Sequence, residues 1–109
     1  MNMQASQPDA TNRFIVRIDP AFEDIVPVFL SNRQNDLRTL RRALADGDFT
    51  TIQMLGHRMK GDGGGYGFDR ITEIGGAMER SAALHDSAAA ERHIAQLEDF
   101  LARVQVVYV

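Results

Sequence analysis

The chain has 109 residues, 44% of them hydrophobic and 25% charged, with a net charge of −3; this is the balance of one globular domain with a single core, too short to add a kinase's nucleotide-binding domain. The weak negative charge offers no electrostatic basis for binding nucleic acid, and the absence of cysteine rules out disulfides and thiolate metal sites while fitting a reducing cytoplasm. No apolar run approaches the ~20 residues needed to cross a bilayer, and the amino terminus lacks a signal peptide's basic-then-apolar pattern, so the protein is expected in the cytoplasm and off the membrane.

Residues 1–12 are polar, contain Pro8 and show no periodicity; they read as a disordered leader ahead of a single helical domain over 13–109. Phe14, Val16 and Ile18 alternate with Ile15, Arg17 and Asp19, the pattern of an extended segment. Asp19-Pro20 then opens a helix, since Asp19 can accept from free backbone N–H groups and proline suits the first helical position. Pro27 breaks or restarts it, which predicts a short helix from Pro20 to Val26 and a longer one from Pro27 to Asp46. In the longer helix Phe29, Leu30, Arg33, Leu37, Leu40 and Leu44 form a core-facing stripe with Arg33 at its edge, and Arg38, Arg41 and Arg42 lie towards the other side. Gly47 ends that helix in the left-handed conformation and Asp48 caps the next, which runs to Tyr66 with Gly67 as its terminator. Phe68-Asp69 supplies a turn and a new N-cap. Ile71, Ile74, Met78 and Ala82 form the stripe of the following helix, with Gly75 and Gly76 permitting close approach. After His85, Asp86 or Ser87 caps a last helix with Ala90, Ile94, Leu97, Leu101 and Val104 on one side, and the β-branched tail from Val104 to Val109 reads as extended. It could pair with Phe14 to Ile18 or lie over the end of the bundle.

The stretch from His57 to Gly67 stands apart from the rest. At 100° per residue His57, Gly61 and Gly64 share one narrow stripe, opposite Ile52, Leu55, Met59 and Tyr66, so the histidine points away from the apolar face. An isolated helical histidine is ordinarily a bystander, but Gly56, Gly61, Gly63, Gly64 and Gly65 crowd around this one, and each glycine inside a helix costs ~1 kcal/mol relative to alanine. Bare main chain beside an exposed imidazole lets a second molecule approach the ring, as a side chain that exchanges a group with another protein requires.

The pattern His57-x-x-Lys60-Gly61-x5-Gly67, with Met59 before the lysine and the Met78-Glu79 pair further on, resembles the histidine phosphotransfer (HPt) domain of bacterial phosphorelays, from about Leu37 to about Val104. Asp62, Tyr66 and Phe68 depart from it: the family commonly has small, aliphatic and small residues there. Elements and resemblance together imply an all-α fold, an antiparallel four-helix bundle with a short extra N-terminal helix and extended segments at both termini. The resemblance implies a phosphorelay intermediate of two-component signal transduction, which accepts a phosphoryl group on His57 from a receiver-domain aspartate and passes it to another response regulator. Such a carrier has no ATP-dependent kinase activity of its own. Its implied partners are response-regulator receiver domains and hybrid histidine kinases, each bringing its aspartate and Mg2+; this chain binds no cofactor, and a monomer is the default.

An imidazole is largely neutral near pH 7 and can attack phosphorus directly. Phosphoryl transfer through a loose, in-line transition state depends mostly on positioning and on stabilising the equatorial oxygens, and Lys60, about one turn from His57, can place an ammonium beside them. Gln53, Arg58, Gly61 and Gly64 make up the expected phosphotransfer surface: Gln53 could bond the ring or the phosphoryl group, and the two glycines give steric clearance. Glu79 reads either as a solvated residue or as a contact at the base of the helical hairpin. No metal site is expected, because His57, His85 and His93 fall on separate segments without a His-x3-His pair; nor does the glycine cluster match a nucleotide-binding loop, which would carry Gly-x-x-x-x-Gly-Lys-Ser/Thr after a strand. The competing function is a helical docking module that binds and inhibits a receiver domain or histidine kinase without carrying phosphate.

Overall fold

In the computed structural model, which describes residues 12–109, two short strands enclose four helices in the order of the chain. The strand β1 (Phe14–Ile18) leads through a 3-10 turn at Pro20–Phe22 into α1 (Val26–Asp46); α2 (Phe49–Asp62) and a second 3-10 turn at Gly64–Tyr66 lead into α3 (Asp69–Ala83), then α4 (Ser87–Arg103) and β2 (Val104–Tyr108). The leader expected over 1–12 lies outside the described residues except for Asn12.

Most element boundaries follow from the expected caps. Gly47 ends α1 at φ 67°, where a side chain would be strained. Asp48 caps α2 by accepting from the Thr51 N–H at 3.1 Å and the Thr51 hydroxyl at 2.6 Å, and Asp86 caps α4 by accepting from the Ala89 N–H at 3.1 Å. Two boundaries differ from expectation. Pro27 is tolerated only in a first helical turn, so α1 begins at Val26 and takes Pro27 with it. The segment from Pro20 then closes just one 3-10 turn, with Asp19 accepting from the Ala21 N–H at 2.9 Å. The second difference is that the helix expected to reach Tyr66 stops at Asp62. Gly63, Gly64 and Gly65 give it little propensity to continue, and the Gly64 N–H donates instead to the Thr72 hydroxyl at 2.7 Å. Gly67, at φ 92°, closes this turn. The new helix has Phe68 as its N-cap without a side-chain hydrogen bond, and Asp69 sits in its first turn.

The core collects one face from every helix: Val26, Phe29, Leu37 and Leu40 of α1, Ile52, Leu55 and Met59 of α2, Ile71, Ile74 and Met78 of α3, and Ile94, Leu97 and Phe100 of α4. At one end it becomes aromatic. Phe68, a departure from the family pattern, is buried and stacks on Phe29 at 5.2 Å between ring centroids, and Phe29 also meets Tyr66 at 4.6 Å. Arg33, placed at the edge of its stripe by sequence, is buried here with Nε donating to Asp36 at 2.9 Å. The two strands do pair, in parallel, with register Phe14↔Val104 through Ile18↔Tyr108. Phe14, Val16 and Ile18 are buried against the bundle, and Val104, Val106 and Tyr108 pack half-buried beside them.

The seam between α2 and α3 positions the site. A Cβ built on Gly75 would stand 2.6 Å from the Lys60 nitrogen and 2.8 Å from the Gly56 oxygen; one on Gly56 would stand 2.8 Å from the Glu79 nitrogen. Only glycine allows the two backbones to approach so closely.

Candidate functional site

Because Ile52, Leu55, Gly56 and Met59 turn α2 inward, the intervening residues face out, and the His57 side chain is 73% exposed. The seam glycines bring Glu79 of α3 beneath it. Glu79 Oε2 lies 2.8 Å from His57 Nδ1, and Glu79 Oε1 lies 3.6 Å from Lys60 Nζ. The Glu79 side chain is itself only 23% exposed, whereas that of Lys60 is 54% exposed.

The geometry selects the tautomer of the neutral ring. The hydrogen bond from His57 holds the Glu79 carboxyl below its usual range, with the charges of His57 and Lys60 adding to the effect and partial desolvation opposing it. At neutral pH the carboxylate can therefore only accept, so Nδ1 of His57 carries the proton. The lone pair of the neutral imidazole resides on Nε2, which makes no hydrogen bond among the described residues. Lys60, three residues along the helix, holds its ammonium on the same carboxylate. The arrangement presents a nucleophilic nitrogen with a cation and an anion fixed beside it.

The glycines around His57 divide into two groups. Gly56 and Gly63 are packing residues rather than clearance for a partner: a Cβ on Gly63 would stand 2.7 Å from the Thr72 nitrogen and 2.8 Å from the Phe68 oxygen. Gly61 and Gly65 have nothing within 4 Å of a built Cβ, so they leave bare main chain open on the exposed side. Gly64 is exposed but also structural, through its bond to Thr72. Gly67 holds its positive φ against Ile18, whose Cδ1 would lie 2.6 Å from a Cβ there.

Gln53 and Arg58 are exposed on α2 beside His57, and neither makes a hydrogen bond or ion pair among the described residues. The ring is held by Glu79, not by Gln53. Neither reading of Glu79 from sequence included this contact, although a signal existed: His57 and Glu79 stand eleven residues on either side of Phe68, so a hairpin folded there brings them level. His85 stacks on Phe49 at 4.8 Å and His93 meets Gln96 at 3.0 Å; both are away from His57. No group of three or more His, Cys, Asp or Glu suited to a metal ion occurs among the described residues, and none of the described helices is long and apolar enough to cross a membrane.

No curated protein and no solved structure matches the chain. A family model does: the one described as the Hpt domain matches residues 24–106. The match takes in all four helices and omits β1. With an exposed, carboxylate-anchored histidine on its second helix and most of its length matched, the chain belongs to the Hpt domain family, and its role lies in phosphotransfer within two-component signalling.

Proposed function

We propose that the protein is a phosphorelay carrier, which takes a phosphoryl group onto His57 from the aspartyl phosphate of one receiver domain and yields it to the aspartate of another. The observation that carries this reading is the anchoring of Nδ1 by Glu79 on a ring that is 73% exposed. The Nε2 lone pair forms the N–P bond as the acyl O–P bond breaks, and that bond's electron pair leaves with the donor's aspartate carboxylate. No proton has to move. The imidazole becomes a cationic phosphoimidazolium whose Nδ1–H stays on Glu79, so the ring charge that develops meets a carboxylate already in place. Lys60 can then turn from Glu79 towards the phosphoryl oxygens, and Gly61 leaves room for the incoming aspartate loop. Mg2+, which neutralises the transferring oxygens, would come held in the acidic site of the receiver. Return transfer is the same step reversed.

Mixing the pure protein with a receiver domain labelled on its aspartate, in Mg2+, tests this. Wild type should acquire an acid-labile, base-stable phosphoryl group. His57→Gln should acquire none while retaining its helical circular dichroism and most of its receiver binding. If neither protein is labelled and both suppress the partner equally, the chain is a docking module and not a carrier.

A further inference from the structure

Arg80 lies exposed in the last turn of α3 and makes no hydrogen bond or ion pair among the described residues. A cation at the end of a helix gains from the helix dipole wherever it points, but the direction of this one is particular. Its Nη1 leans back over the preceding turn, as helical side chains do, to 3.4 Å from a Cβ built on Gly76. The Lys60 stem reaches the same spot from α2, with Cδ 3.6 Å and Cγ 3.8 Å from that Cβ. Two cations from different helices therefore lie side by side over one buried glycine, next to the His57–Glu79 pair. Glu79 already divides its two oxygens between His57 and Lys60. With the ring neutral, the cluster of His57, Lys60, Glu79 and Arg80 thus holds one positive charge in excess.

We propose that Arg80 is a phosphoryl-binding residue of this site: its guanidinium and the Lys60 ammonium close together on the phosphoryl oxygens of phosphorylated His57. The inference rests on the carrier reading and adds to it a residue that the His57-x-x-Lys60-Gly61 spacing does not contain. Charge is the first reason. A dianionic phosphoryl group on a cationic ring cancels the surplus and leaves the four residues and their cargo neutral; without Arg80 the loaded site would carry an unbalanced negative charge. Shape is the second, because a planar guanidinium presents paired N–H donors that match two phosphoryl oxygens, whereas an ammonium acts as a point charge. Both side chains are also exposed enough to turn towards the ring. Lys60 gives up a 3.6 Å contact with Glu79 in doing so, and Arg80 gives up no polar contact.

The test uses the full chain phosphorylated with phosphoramidate, so that no partner has to dock. A nearby cation favours the dianionic phosphoryl group and lowers the pH at which it takes up a proton. In a 31P NMR titration, Arg80→Ala should raise that midpoint by about half a pH unit or more, and Arg80→Lys should restore part of the difference. Arg70→Ala, which removes a positive charge from the first turn of the same helix, should match wild type. A cation that served only the helix dipole would alter urea unfolding and leave the phosphoryl midpoint where it was. A wild-type midpoint for Arg80→Ala, or one raised no further than that of Arg70→Ala, overturns the assignment while the carrier reading stands. If neither phosphoramidate nor an aspartate-labelled receiver phosphorylates wild type, the carrier reading fails and the assignment falls with it.

Discussion

At the scale of single residues, the chemistry of His57 turns on which ring nitrogen holds the proton, and Glu79 decides that. The carboxyl of Glu79 is depressed in the folded protein by the hydrogen bond from His57. A depressed carboxyl stabilises the fold fully above the ordinary carboxylate range, and the contribution is lost as pH falls through the folded value. The His57–Glu79 anchor should accordingly persist to a pH below that range. Carboxyl NMR titration should show Glu79 with a lower midpoint in wild type than in His57→Ala; coincident midpoints would mean that the contact is absent in solution. Kinetically, Glu79→Ala should slow phosphoryl acceptance by on the order of tenfold or more, because the cationic ring loses its counter-charge. Glu79→Gln, which can still accept from Nδ1–H but carries no charge, should fall between. The sequence was informative here only where partners lie within a turn of one another. His57, Lys60 and Gly61 are legible as a spacing, whereas the carboxylate that sets the tautomer is 22 residues away, signalled in sequence only by its level position across the hairpin and brought to the ring by the packing of α2 on α3.

At the scale of elements, the seam between α2 and α3 explains why so many glycines gather in one stretch. They looked alike in sequence, since each lowers helix propensity similarly. Tertiary contacts separate them: Gly56 and Gly63 are pressed against backbone, Gly56 against the close approach that Gly75 of α3 had signalled, and Gly61 faces open space. Substitution should expose the difference. Gly75→Ala forces the helices apart and should cost ~1–3 kcal/mol in urea unfolding, with Glu79 displaced from His57. Gly61→Ala should instead stabilise the protein by up to ~1 kcal/mol, yet slow transfer from a receiver, because its methyl group stands where the partner must approach. If Gly61→Ala transfers at the wild-type rate, the open main chain is not part of the docking face. The same reasoning explains the early end of α2: a run of three glycines weakens the helix, and the Thr72 hydroxyl captures the N–H of Gly64.

At the scale of the whole molecule, the helices and their apolar faces could be read from periodicity and caps, because both are local. Pairing of the termini was one of two alternatives the sequence left open, and its parallel direction could not be read. Parallel strands need a long crossover connection, and here that connection is the entire bundle, so nothing near Phe14 or Val104 reveals the direction of pairing. Nor does periodicity reveal that Phe68 completes an aromatic cluster with Phe29, Tyr66 and Phe100, or that Arg33 is buried. The bundle, with the strands and the aromatic cluster packed against its core, presents the His57 ring to solvent. The most direct test of that view is NMR of the protein carrying 15N-labelled histidine after reaction with phosphoramidate. A phosphorus coupling to Nε2 of His57, with Nδ1 still protonated, is the predicted result; phosphorus on Nδ1, or an unmodified His57 ring, would contradict it.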